Sequence, residues 1–284
     1  MTEQQAGQTK DWAQSEKFFS RSWTHIFYFW KLRQIMLGKT VHDILAKSDQ
    51  SEVKRVVDLG CGPGTNLFDV YDASEHFENV QWFGLDLNQR EAAEGASRST
   101  YRMKERGKKP VHFMSGDIFK LPFADNSIDI LISSEVVEHL PNPVPALAEM
   151  QRVLKPNGYA MVTTPNPRNL PEMVGYGLDK ITFGGFKKLY WKGQDEVSAP
   201  PLTAQVGFGH VSVHPFPVWR DWFKQVGLPV VKHVRGPMLF GSPFFDRHKF
   251  LSGMIIMLDP IMDRLPFRFA TTTNLGMLCQ KKER

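Results

Sequence analysis

Cysteine is nearly absent: two residues in 284, Cys61 and Cys279. That excludes a disulfide framework and any cysteine-based metal cluster, and it leads us to expect a reducing compartment. A membrane-spanning run of about 20 apolar residues is also missing. The most apolar late stretch, FLSGMIIMLDPIMDRLPF at 250–267, is interrupted by Asp259 and Pro260. The opening MTEQQAGQTKDWAQSEK is polar and has no apolar signal-peptide core, so cytosolic residence is the expectation. Neither charge sign dominates, since 35 Lys and Arg are interspersed with 30 Asp and Glu for a net +5. The basic clusters RMKERGKK (102–109) and KKER read as solvated surface, and no nucleic-acid module is expected. Internal repeats and low-complexity tracts are absent.

What is present has ordinary globular proportions, 42% apolar and 23% charged. Phe19, Trp23, Ile26, Trp30 and Leu37 recur at helical spacing, predicting an N-terminal helical cap over 1–50. From Val53 onward, short β-rich runs alternate with helical stretches. Strands are predicted at 55–59, 80–87, 111–115, 127–133 and 159–164, with helices at 66–77, 90–106 and 144–154. Near-continuous apolar strands separated by helices imply a doubly wound, mostly parallel α/β sheet covered on both faces. We assign 51–167 to this core. Residues 168–217, rich in Gly, Pro and aromatics, read as an insert or substrate cover. Residues 218–284 would complete the sheet through a helix at 218–226, a strand at 229–234 and a last strand in LGMLCQ, and they include the apolar 250–267 stretch.

The most informative stretch is VVDLGCGPGTN, residues 56–66. Gly60, Gly62 and Gly64 follow a strand and precede a helix, where backbone can turn with positive φ and approach a ligand closely. A dinucleotide loop would need glycine where Thr65 stands, and a phosphate-binding loop would need a lysine that is missing here. The loop therefore suits a ligand without phosphates. Asp86 ends the second strand in WFGLDLN, a place where open α/β sheets put an acid that accepts from ribose hydroxyls, with Asn88 able to share that role. Asp117 follows the third strand in SGDIFKLPF, so Asp58, Asp86 and Asp117 stand at three successive strand tips. Each also has a bland reading; Asp117, for example, can simply cap a turn.

VVDLGCGPG, GLDLN, SGDIFKLPFADNSIDILISSEVVEHLPNP and RVLKPNGYAMVTTPN together resemble the class I S-adenosylmethionine-dependent methyltransferases, in the broad group that includes the ubiquinone and menaquinone biosynthetic enzymes. The likeness covers roughly residues 53–165. It implies a seven-stranded sheet with the last strand antiparallel and S-adenosyl-L-methionine as cofactor. By the same resemblance, the three glycines pass the methionine part and Asp58 holds its amino group. Asp86 takes the ribose hydroxyls, Asp117 and Ile118 contact adenine, and Glu135 closes over the amino-acid end. Glu135 and His139 can equally brace their own turn.

Methyl transfer from a sulfonium needs in-line positioning more than acid chemistry, so no catalytic metal is expected. Aromatic faces suit the cation, and Trp23, Phe27 and Tyr28 are candidates if their helix caps the site. An oxygen acceptor would benefit from a general base. His210 in VGFGHVSVHP is the candidate catalytic residue, with a turn-stabilising histidine as its alternative; His214 and Tyr176 follow it. The expected acceptor is a small or amphiphilic metabolite, such as a lipid-linked saccharide, quinone precursor or secondary metabolite. An RNA methyltransferase and a non-catalytic cofactor-binding protein are the competing readings. The 250–267 stretch is compatible with burial, with a homodimer contact or with peripheral membrane contact.

Overall fold

The structure, a computed structural model, describes residues 25–167, a few positions between 177 and 185, 209–235, residues 250, 254 and 257, and 274–283. Helix α1 (His25–Ala46) leads into β1 (Lys54–Leu59), α2 (Thr65–Ala73), β2 (Val80–Asp86), α3 (Gln89–Arg106), β3 (His112–Ser115) and β4 (Ile128–Ser134). A single 3₁₀ turn (Val137–His139) precedes α4 (Val144–Val153) and β5 (Leu154–Pro165). After the insert come α5 (Phe216–Gln225), β6 (Val230–Arg235) and β7 (Asn274–Gln280).

The seven strands lie in the order β3-β2-β1-β4-β5-β7-β6. Strands β1 to β5 are mutually parallel, while β7 runs antiparallel to both β5 and β6. β1 pairs with β2 on one side and β4 on the other, so the order reverses there, and open α/β sheets bind ligands in the crevice beyond such a point. Because β1, β2 and β4 are parallel, Asp58, Asp86 and Glu135 converge on one carboxyl edge. Antiparallel β7 brings its first residue, Asn274, to that same edge opposite Pro165.

Side-chain alternation builds a core on each face. Val56, Trp82, Ile130 and Ile132 pack with Leu37, Val41 and Leu45 of α1, Leu67 and Phe68 of α2, and Met103 of α3. Their neighbours Val57, Leu59, Leu85 and Leu131 pack with Leu147, Met150 and Val153 of α4 and Trp219 and Phe223 of α5. Several predicted bounds moved, among them the end of α2, predicted at 77 and found at Ala73. α1 runs nine residues past Leu37 because Val41 and Leu45 extend its buried stripe at i+4 spacing. β5 starts at Leu154 rather than 159, since a bulge between Ile128 and Ile130 lets Leu154 pair before the irregular KPNG stretch. Most of the 168–208 insert and of 250–267 lies outside the described residues, as do Tyr176 and the side chains of Trp23, Phe27 and Tyr28.

Candidate functional site

The loop after β1 is pinned to β2 by two amides: Gly60 and Cys61 N–H both donate to the Leu85 carbonyl, at 2.7 and 3.1 Å. All three loop glycines adopt positive φ, 69°, 50° and 85°. Gly60 and Gly64 are glycine for want of room, since an added methyl would lie 2.5 Å from Val136 Cγ2 or from Phe113 Cζ. Gly62 differs. A methyl there would meet only Glu91 Oε2 at 3.9 Å, so its open side is a cradle that a ligand can fill.

Asp86 organises this cradle. Its Oδ2 accepts from Gly62 N–H at 2.7 Å and its Oδ1 from Asn88 N–H at 2.8 Å, leaving further lone pairs on a half-buried carboxylate. Asn88 has a job of its own, since its side chain caps α3 by accepting from Arg90 N–H at 3.0 Å. Asp117 is exposed and accepts from Phe119 N–H at 2.9 Å, so the turn-capping reading is realised while one oxygen still faces outward. Ile118 is half-buried against the core beside it. Leu87 and Phe119 are exposed apolar side chains at the same two strand tips.

Asp58 is 2% exposed, and its Oδ2 has no hydrogen-bond partner. Burial, reinforced by the Asp86 charge and opposed by Arg33, pushes its carboxyl up to about 8. A buried carboxyl oxygen without a hydrogen-bond partner is costly, and at the strand tip that feeds the glycine loop it suits a cationic ligand.

Glu135 lies just past β4 with φ 58°, a left-handed conformation that a non-glycine residue adopts at a cost. Its Oε1 accepts from the Thr163 hydroxyl at 2.9 Å and its Oε2 from Asn274 Nδ2 at 2.7 Å. Arg33 of α1 reaches Glu135 Oε2 at 3.5 Å while almost fully buried. The charges of Glu135, Glu138 and Asp58 all favour that guanidinium, against a burial cost that pulls its proton affinity down. Arg33 is not among the site residues expected from the sequence. Its signal was position: Arg33, Leu37, Val41 and Leu45 recur every fourth residue, so the arginine sits on the buried stripe rather than the wet face.

Glu138 is completely buried, and burial together with the Glu135 charge pushes its carboxyl up to about 8. Its backbone carbonyl accepts from both Val211 and Ser212 N–H at 2.9 Å, which docks the 209–212 segment on the 3₁₀ turn. That contact sets His210 beside His139, with ring centroids 5.0 Å apart. His210 itself is exposed. His214 is packed edge-on against Trp222 and Trp219, so it has a structural role in the second core. Among the described residues, Glu138, His139 and His210 bring three potential metal-ligand atoms within 4.8 Å of one another. The sequence reading, attending to cysteines, found no such set.

Comparison with known proteins agrees with this geometry. The family described as "Methyltransferase domain" matches residues 50–191, half of the chain. An uncharacterised methyltransferase of Schizosaccharomyces pombe is 37% identical over 107 residues, 37% of this chain and 37% of the relative. Demethylmenaquinone methyltransferase of Renibacterium salmoninarum is 31% identical over 137 residues, 48% of this chain and 46% of the relative. In both, the match spans less than half the relative's own length. The solved geranyl diphosphate methyltransferase, in complex with its diphosphate and sinefungin, superposes with a TM-score of 0.51 over 86% of this chain and 77% of its own, at 13% identity, a likeness of fold.

Proposed function

This chain belongs to the class I S-adenosylmethionine-dependent methyltransferases, and from that premise we propose that it methylates a small or amphiphilic metabolite by in-line displacement. The observation that carries the site reading is Asp58: a buried carboxyl with one unsatisfied oxygen, two residues before the first loop glycine, suits the ammonium of the cofactor's amino-acid end. Bound there, the cofactor supplies an electrophilic methyl on a sulfonium.

Gly60, Gly62 and Gly64 let backbone approach the amino-acid end, and Asp86 keeps lone pairs for the ribose hydroxyls while holding the loop through Gly62. Leu87, Ile118 and Phe119 offer apolar surface for adenine, with the free oxygen of Asp117 for its amino group. Arg33, held over Glu135, ties α1 to the site and closes its methionine side. Orientation in a water-poor site supplies on the order of 7–11 kcal/mol in favourable cases, so a dedicated acid is dispensable. An amphiphilic acceptor is supported by the demethylmenaquinone relative and by the aromatic composition of 168–208.

Incubating the protein with methyl-labelled cofactor and cell extract, then separating lipid, aqueous and RNA fractions, tests the acceptor class. Label is expected in the organic-soluble or small-molecule fraction; label confined to RNA would overturn the proposal, and no label above a boiled control would overturn the enzyme. Calorimetry tests the site: Asp86→Ala removes two loop acceptors and the ribose partner, so cofactor affinity should fall about 10- to 100-fold. Unchanged affinity would remove Asp86 from the cofactor site.

A further inference from the structure

The Glu138 carboxyl is buried at a cost. Its side chain is fully buried, and neither oxygen makes a formed hydrogen bond. The Thr164 hydroxyl lies near enough to favour its charged form but not in bonding geometry, and it too has no formed bond. Arg33 gives only partial neutralisation, because its close contact is with Glu135. Buried polar atoms in native proteins are almost always satisfied, so an orphan of this kind needs an absent partner. Directly beside it stand two imidazoles, and the three ligand atoms share one small volume.

We propose that Glu138, His139 and His210 form a binding site for one divalent first-row transition ion of the zinc type. Two imidazole nitrogens and one carboxylate oxygen suit zinc and its neighbours better than magnesium or calcium, which prefer all-oxygen shells. Metal–ligand bonds of about 2.1 Å put tetrahedral ligand atoms about 3.4 Å apart. The three atoms need therefore close by at most about 1.4 Å from their present 4.8 Å limit, and the exposed His210 ring is free to swing. The scaffold around them is preset: Val211 and Ser212 are anchored on the Glu138 carbonyl, and His139 Nδ1 lies 3.4 Å from the Gly209 carbonyl, a pairing that would leave Nε2 as the ligand atom.

Three protein ligands leave coordination positions open. Resting on the methyl-transfer reading, the open position takes a hydroxyl or enol oxygen of the acceptor. Coordination lowers the pKa of that hydroxyl, whose proton leaves to water. Its lone pair then forms the bond to the methyl carbon while the carbon–sulfur pair stays on sulfur, which becomes neutral. The Arg33–Glu135 ion pair lies beside this centre, since the Glu138 charge also acts on Arg33.

Cobalt(II) is the probe. Chelator-stripped protein titrated with cobalt should develop visible d–d absorption saturating at one equivalent, and zinc should displace it. His210→Ala, at an exposed position, and the conservative Glu138→Gln should each weaken cobalt binding more than 100-fold, while His112→Ala leaves it unchanged. Cofactor affinity, measured in the same proteins without metal, should change less than threefold. An absent cobalt spectrum, or equal binding by His210→Ala and Glu138→Gln, would overturn the metal site. Failure of cofactor binding in all of them would instead overturn the methyltransferase site. If the site binds cobalt but methyl transfer by stripped protein is undiminished, the proposed role in holding the acceptor is overturned.

Discussion

Replacing Asp58 with asparagine should move stability and cofactor affinity in opposite directions. The carboxyl titrates near 8 in the folded chain against an ordinary value of 3.8, chiefly through burial. Between those values the folded state holds a proton that the unfolded chain has released, so the stabilisation is complete below about pH 4 and is lost as pH rises through 8. Four units at about 1.4 kcal/mol each give a penalty on the order of 5 kcal/mol above pH 8. Asparagine cannot ionise and escapes it. In denaturant titrations from pH 5 to 9.5, the difference between Asp58→Asn and wild type should grow in favour of the variant up to about pH 8 and then flatten. Glu138 contributes the same slope to both proteins, so the difference isolates Asp58. Calorimetry on the same variant should show cofactor affinity reduced about 10- to 150-fold, the worth of one charge-assisted hydrogen bond. Because the ammonium favours the carboxylate, wild-type binding below pH 8 should also release a proton that the variant does not. A variant less stable than wild type at pH 9, or one that binds cofactor equally well, would refute the assignment of a strained, cation-seeking carboxyl.

Two further outcomes follow from the geometry. Gly64→Ala places a methyl 2.5 Å from Phe113 at φ 85° and should lower stability by about 1–3 kcal/mol, whereas Gly62→Ala should cost less stability but more cofactor affinity; thermal melts beside calorimetry would separate them, and the reverse pattern would deny the cradle. Arg33→Met strips the cation from Asp58, Glu135 and Glu138 and should cost about 3–5 kcal/mol by chemical denaturation, with a larger loss above pH 8 where the two shifted carboxyls ionise. A pH-independent loss would mean that Arg33 acts through packing alone.

Much of the sheet was legible locally. The strands around Val57, Leu85 and Leu131 announce themselves because a strand buried on both faces must be apolar throughout, and the helices between them carry their own periodicity. The glycine loop was legible for a harder reason: positive φ at Gly60 and Gly64 and contact with Val136 and Phe113 leave no other residue type available. β5 was misjudged at its start because KPNG carries turn chemistry, while pairing to Ile128 depends on a distant strand.

By itself, the amino-acid order determined the alternation of strands and helices, the three-glycine bend and the acids that close β1 and β2, since these follow from backbone sterics and the two-residue and 3.6-residue side-chain periods. Tertiary structure alone decided the charges around them. It carried Arg33 from α1 onto Glu135, brought Asn274 from the last strand to the same carboxylate, and seated His210 beside His139 across 71 positions. Electrostatic and ligand partners are chosen by distance in space, and burial sets their strength; neither quantity exists until the sheet has closed its order and the two faces are covered.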